Sequence, residues 1–191
     1  MHMRYFGDSY DIVKLSLIGW LRRFGDWSVH PMLTEEASPE EVNAFERFLN
    51  AHVISAEVLT TSTNRESYFS CAVRCGNLFL DPDTGLKLRK MNGSYAPKYL
   101  FRSELVHLIS LRPKQSLTLV FDQSLQRGDE RRAVEQKLND LRSHRIYCFA
   151  YISHACFIVG GRDEDLVNDA LTHVIAESRL PENRFLRATS T

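Results

Sequence analysis

The chain has 191 residues, 43% hydrophobic and 25% charged, which fits one globular domain with a sizeable core and leaves little room for two. Acidic and basic residues balance at 24 each, so no global field draws the protein onto nucleic acid or an anionic membrane, and any such contact must rest on a local patch. No apolar run approaches the roughly 20 residues that cross a bilayer, and the first residues lack the apolar centre of a signal peptide, so a cytoplasmic location away from membranes is expected.

Helical spacing appears first at Ile12, Leu15, Leu17, Ile18 and Leu21, predicting a helix over about 10–24 that stops before Gly25. "WSVHPML" (27–33) reads as a buried strand. In "SPEEVNAFERFLNAH" (38–52), Ser38 as N-cap, Pro39 at the first helical position and Glu41 three after the cap form a capping box. "ISAEVLT" (54–60) alternates as a strand does, "NRESYFSCAVRC" (64–75) reads as a helix and "NLFLD" (77–81) as the next strand. After a loop containing "MNGSYAP" come a helix over about 101–111, the strand "SLTLVFD" (116–122) and the amphipathic helix "DERRAVEQKLNDLRSH". "RIYCFAYI" and "ACFIVGG" are separated only by "SH", too short for a parallel crossover, so they predict an antiparallel hairpin. A last helix follows over "DEDLVNDALTHVIAESR". The expected organisation is one domain over 1–180 with a loose tail over 181–191. Cys71, Cys75, Cys148 and Cys156 show neither CxxC pairing nor zinc-finger spacing and are expected to be buried thiols.

The alternation of strand and helix predicts an α/β fold, a mostly parallel sheet with helices on both faces in three Rossmann-like layers, closed by the C-terminal hairpin. Ligands of such sheets bind outside the carboxyl ends of the strands. That edge gathers Thr34 and Glu35 after the first strand, Asp81 and Asp83 after the third, and Asp122 and Gln123 after the fourth. Pro82 cannot donate to a ladder, so pairing fails where the acids begin. Two carboxylates about 4 Å apart repel by roughly 4 kcal/mol at an effective dielectric near 20, so their approach demands a cation, a proton or a hydrogen-bond donor. Asp83 has a second reading as an ordinary turn residue in Asp83-Thr84-Gly85.

A second acidic constellation stands in "YFGDSYDIVK", where Asp8, Asp11 and Lys14 are spaced by three and share a helix face. These residues suit either helix capping, with Asp8 at the N-cap, or a site in which Gly7 lets backbone approach a ligand. Lys98 and Tyr99 lie in a loop expected to overhang the same edge, where Lys98 can answer the carboxylates or remain solvated. Arg127, with Arg131 and Arg132, offers a local phosphate contact or a solvated helix face. His30, His154, Trp20 and Trp27 are expected to be structural.

The ordered stretches "YFGDSYDIVKLSLIGWL", "NLFLDPDTGL", "APKYL" and "SLTLVFDQS" resemble a bacterial family of unassigned function with the patterns Y-x-G-D-x-x-D-x-x-K, L-D-P-D-N-G-L and P-K-Y. More remotely, the chain is similar to Rossmann-like adenine-N6 methyltransferases acting on ribosomal RNA, which carry an N-terminal Asp-x-x-Lys and a catalytic D-P-P-Y. That resemblance implies a nucleic-acid-modifying enzyme using S-adenosylmethionine. Asp81, with Asp11 and Lys14, would be catalytic, and Asp81 would accept a hydrogen bond from an exocyclic amine while a methyl group arrives in line; Asp83 is a further catalytic candidate from its place beside Asp81, not from the resemblance. Asp8, Thr34, Glu35 and Pro82 would lie against the cofactor, and Lys98, Tyr99 and Arg127 against RNA or DNA. The chain departs from that pattern in two places. "LTEEASPEE" stands where the cofactor's glycine-rich turn belongs, and Asp83 and Thr84 replace a proline and the aromatic that stacks the target base.

Two other readings stay open beside it. A metal-dependent nuclease or phosphoesterase would hold Mg²⁺ or Mn²⁺ on Asp81 and Asp83 with Asp122, Asp8 or Asp11, and Lys14 or Lys98 would stabilise developing charge. A non-catalytic methyltransferase-like shell would serve instead as a binding subunit for a protein partner.

Overall fold

The computed structural model describes residues 1, 3–125 and 128–188. Helix α1 (Ser9–Leu21) is followed by β1 (Trp27–His30), α2 (Pro39–Leu49) and the two-residue β2 (His52–Val53). Next come α3 (Arg65–Tyr68), β3 (Asn77–Leu80), β4 (Gly85–Lys87), β5 (Tyr99–Phe101) and α4 (Arg102–Leu111). The chain ends with β6 (Thr118–Asp122), α5 (Glu130–Ser143), β7 (Tyr147–Ile152), β8 (Cys156–Gly161), α6 (Glu164–Ser178) and β9 (Phe185–Arg187).

The main sheet runs β2-β1-β3-β6-β8-β7-β9. β2, β1, β3 and β6 pair in parallel, whereas β8 is antiparallel to both β6 and β7, and β9 is antiparallel to β7. Five strands therefore point one way and two the other, so the sheet is mostly parallel in direction. Strand alternation divides the core into two halves. Val29, Phe79, Leu119 and Val159 face α1, α2 and α6, packing with Leu17, Phe45 and Leu171. Leu78, Leu80, Val120 and Ile158 face α3, α4 and α5, packing with Tyr68, Leu105 and Leu138. Both faces of the central strands are covered, as their near-continuous apolar character requires.

From β1 the chain first adds β2 on one side and then returns to add β3 on the other. This reversal makes the carboxyl ends of β1 and β3 a topological switch point, the usual place for a ligand crevice.

Several elements differ from the sequence expectation. β1 ends at His30 because Pro31 has no N–H to continue the ladder. "ISAEVLT" contributes one further bond, Ile54 N–H to the Val29 carbonyl, and then crosses over the turn after β1, where Leu59 N–H reaches the Leu33 carbonyl. Its alternation reflects a half-buried extended segment beyond the sheet edge, not a full strand. The helix expected over 64–75 is the single turn of α3 followed by 3-10 turns over Ser70–Arg74. The tighter period leaves Cys71 exposed and Cys75 half-buried, while Cys148 and Cys156 are buried. The residues expected to form a loose tail contain β9, whose Phe185 and Leu186 are buried against the sheet. β4 and β5 pair in parallel as a separate two-stranded ribbon.

Candidate functional site

Three segments of the chain meet at the switch point. Asp8 caps α1, accepting from Tyr10 N–H at 2.8 Å and Asp11 N–H at 3.1 Å. Gly7, at φ +89°, turns its own N–H onto Asp11 Oδ2 at 2.7 Å. Capping thus fixes the Asp11 carboxylate, whose other oxygen accepts from Lys14 Nζ at 2.9 Å one helical turn on. Lys14 also donates to Asp81 Oδ2 at 2.9 Å, at the end of β3. Asp81 is itself held by its main chain, its N–H continuing the ladder to the His30 carbonyl at 3.1 Å.

Asp11, Lys14 and Asp81 are all buried, at 2%, 4% and 1% exposure. Two carboxylates share one ammonium; burial pushes the Asp81 carboxyl above its ordinary value, while Lys14 and the Met1 amino group pull it back down. Burial alone would lower the Lys14 pKa; Asp81 and Asp11 reverse that and hold it above the ordinary lysine value. The ammonium also lies 4.5 Å from the centre of the Phe121 ring, a cation–π contact that excludes water from its remaining side.

This cluster forms the floor of a cavity of about 440 Å³. Tyr10 and Phe121, with ring centres 5.4 Å apart, make an aromatic wall. Pro82, Asp83 and Thr84 form the opposite rim, which is clamped on both sides. Thr84 N–H donates to the Lys98 carbonyl at 2.8 Å, Gln123 N–H to the Thr84 carbonyl at 2.9 Å, and the Gln123 side chain to the Asp83 carbonyl at 2.7 Å. Lys98 Nζ stands 3.3 Å from Asp83 Oδ2, so the lysine does answer a carboxylate at the rim.

The remaining sequence candidates lie elsewhere. Asp122 is fully buried beneath Gly85, bonded to Lys137 Nζ at 2.5 Å and Ser124 Oγ at 2.6 Å, and does not reach the cavity. It therefore does not join Asp81 and Asp83 as a ligand set. Among the described residues no group of three His, Cys, Asp or Glu side chains is placed to hold a metal ion. Tyr99 packs under Lys87, whose Nζ is 4.9 Å from the ring centre, and does not line the cavity. Arg127 lies outside the described residues, while Arg131 pairs with Glu135 on the exposed face of α5. Phe121 and Tyr10 were not singled out from the sequence. The signal for Tyr10 was its position four residues before Lys14, on the same helix face.

Thr34 and Glu35, in the turn after β1, do not line this cavity. The turn is packed with side chains: Met32 and Leu33 are 0% and 1% exposed. Two of its backbone donors are taken, Met32 N–H by His30 Nδ1 and Thr34 N–H by the Met1 carbonyl. The Met1 main-chain nitrogen in turn donates to the Met32 carbonyl at 2.7 Å. Thr34 Oγ1 is buried without a partner among the described residues, a single orphan and not a cradle. S-adenosylmethionine needs open backbone and free donors where Met32, Leu33 and Met1 stand, and these residues do not fit it.

A scan of protein-family models and searches of curated proteins and of solved structures found no match to this chain.

Proposed function

We propose that this chain is a nucleic-acid-handling protein of methyltransferase-like build whose sheet-edge cavity receives a base bearing an exocyclic amine. The observation that carries this reading is the buried Asp11, Lys14 and Asp81 cluster at the cavity floor. Its surplus of carboxylate acceptors over ammonium donors favours a hydrogen-bond donor or a cation, and disfavours a phosphate or carboxylate. Adenine and cytosine present such donors at N6 and N4, where uracil offers an acceptor. Tyr10 and Phe121 supply the apolar wall against which a planar base packs.

The cavity's size suits one base with its sugar, since ligand pockets commonly enclose about 300–1,000 Å³. Asp81-Pro82 stands at the end of a central parallel strand, as the D-P pair does in the adenine-N6 methyltransferases that the sequence resembles. Asp81 then accepts the amine hydrogen bond, Lys14 opposes the upward push of burial on that carboxyl and orients it, and Asp11 fixes Lys14. No methyl-transfer step is assigned, because the turn after β1 does not fit the cofactor. The role assigned is recognition of the base.

Thermal unfolding with adenosine, cytidine, uridine and S-adenosylmethionine in parallel tests this. A nucleoside at ten times its Kd stabilises by about 1.4 kcal/mol, or about 3–5 °C for a domain of this size. Adenosine or cytidine should give that shift and uridine none, and Asp81→Asn, which turns an acceptor towards the amine into a donor, should remove it. Equal shifts from all three nucleosides, or a full response in a folded Asp81→Asn protein, would refute the assignment.

A further inference from the structure

The ribbon β4–β5 rises from the rim of this cavity and returns to it. Gly85 follows Asp83-Thr84 directly, and Lys98 at the far end closes back on Asp83. Between Asp83 and Glu104 the chain contains no acid, but it carries Lys87, Arg89, Lys90, Lys98 and Arg102. Arg102 is taken by Asp140, and Lys98 by Asp83. Lys87, Arg89 and Lys90 are exposed, and none forms an ion pair among the described residues. Tyr95 is 64% exposed, and Lys87 stacks over Tyr99, so aromatic rings are interleaved with the cations. Lys87 is three residues from Thr84, within about 11 Å of the rim along the chain.

A chain with no net charge thus carries positive side chains without ion pairs on a ribbon that starts and ends at the rim of an acid-floored cavity, with Lys90 at its outer end in a separate cleft beside Glu66 and Glu104. The two surfaces ask for opposite things, a donor inside and an anion outside, and a nucleotide within a strand offers both. We propose that the ribbon over 85–99 binds the sugar-phosphate backbone of a single-stranded nucleic acid, with Lys87, Arg89 and Lys90 on successive phosphates while one base enters the cavity. A single strand is favoured because a base must leave its stack to reach a floor this deeply buried. The inference rests on the base-binding reading of the cavity.

The test is fluorescence anisotropy of the full chain with a labelled single-stranded 12-mer of mixed A and C, read from low to moderate salt, for wild type and Arg89→Glu/Lys90→Glu. These positions are exposed and outside the core, so the variant should fold; circular dichroism checks it. Wild type should bind, and the variant should bind at least tenfold more weakly. Its log K against log salt slope should fall by about 1.4, the value for two lost phosphates on a single strand. Unchanged affinity and slope in the variant, tighter binding to a duplex of the same sequence, or stronger association with phosphatidylserine vesicles than with the strand would each overturn the ribbon's assignment. Asp81→Asn separates the two readings: it should lose the preference for A and C over U while keeping the wild-type salt slope. Nucleoside shifts that persist while the salt slope ignores Arg89 and Lys90 would defeat the ribbon alone.

Discussion

Lys14 carries its charge where a lone ammonium would not stay protonated, and it does so only because two carboxylates meet it from separate elements. One comes from its own helix, the other from the end of a strand 67 residues later. Removing the lysine leaves Asp11 and Asp81 buried and mutually repelling. Lys14→Met should therefore cost roughly 3–5 kcal/mol in urea unfolding, the range for breaking a buried pair by deleting one partner. Adding Asp81→Asn to Lys14→Met should recover part of that loss, because the remaining charge no longer faces a like one. A loss below about 1 kcal/mol, typical of exposed pairs, would mean that water reaches the cluster and that its negative charge is screened. The spacing of Asp8, Asp11 and Lys14 made one half of this cluster legible in the sequence. Its other half was legible only as an acid at a strand end, since nothing local says that Lys14 and Asp81 meet. Asp122 shows the reverse case: it ends a strand as Asp81 does, yet Lys137 from α5 claims it, and no pattern near Asp122 reveals that partner.

At the scale of elements, β4 seats the acidic rim, and Gly85 permits the seating. Its φ of +140° suits glycine, and a Cβ there would come within 2.9 Å of the Asp122 Cα, a main-chain atom with no freedom to yield. Gly85→Ala should push β4 off the end of β6, loosening the bonds from Gln123 to Asp83 and Thr84. We expect a loss of about 1–3 kcal/mol in stability, in the usual range for strain at a special backbone position. A loss of the nucleoside thermal shift should accompany it, whereas alanine at the exposed Gly76, where a Cβ meets nothing, should leave that shift intact. The elements that the sequence identified well are those with internal reasons to form: α2 has its Ser38 and Glu41 capping box, and β3 and β6 are buried on both faces. Those it missed depend on distant partners. β4 and β5 are three residues each and exist because they pair with each other, and β9 exists because β7 presents an edge. The alternation of "ISAEVLT" lacked a strand to receive it.

At the scale of the whole molecule, the switch point also fixes how stability responds to pH. His30 ends β1 there, fully buried, with its ring 4.7 Å from Tyr68 and 5.5 Å from Phe69. Nδ1 accepts from Met32 N–H, and Nε2 stands 3.4 Å from the Tyr68 carbonyl, so the neutral ring ties the sheet to α3. Burial pushes its pKa down from 6.5 to about 4. The unfolded chain takes up a proton near the ordinary value while the folded chain refuses it until about pH 4. Between those limits the unfolded state binds more protons, so stability must fall as pH falls. The slope is about 1.4 kcal/mol per pH unit, and the full loss is about 3 kcal/mol. Carboxylates titrate in part of the same window, so the contribution of His30 is read by difference. His30→Leu should be less stable than wild type at pH 7 but lose less on acidification, its urea stability from pH 6.5 to 4 flatter by the equivalent of one proton. If the two profiles run parallel, the histidine already carries its proton in the folded protein. The site's floor, one residue along the same ladder at Asp81, would then have a cation beside it and a weaker preference for amine donors.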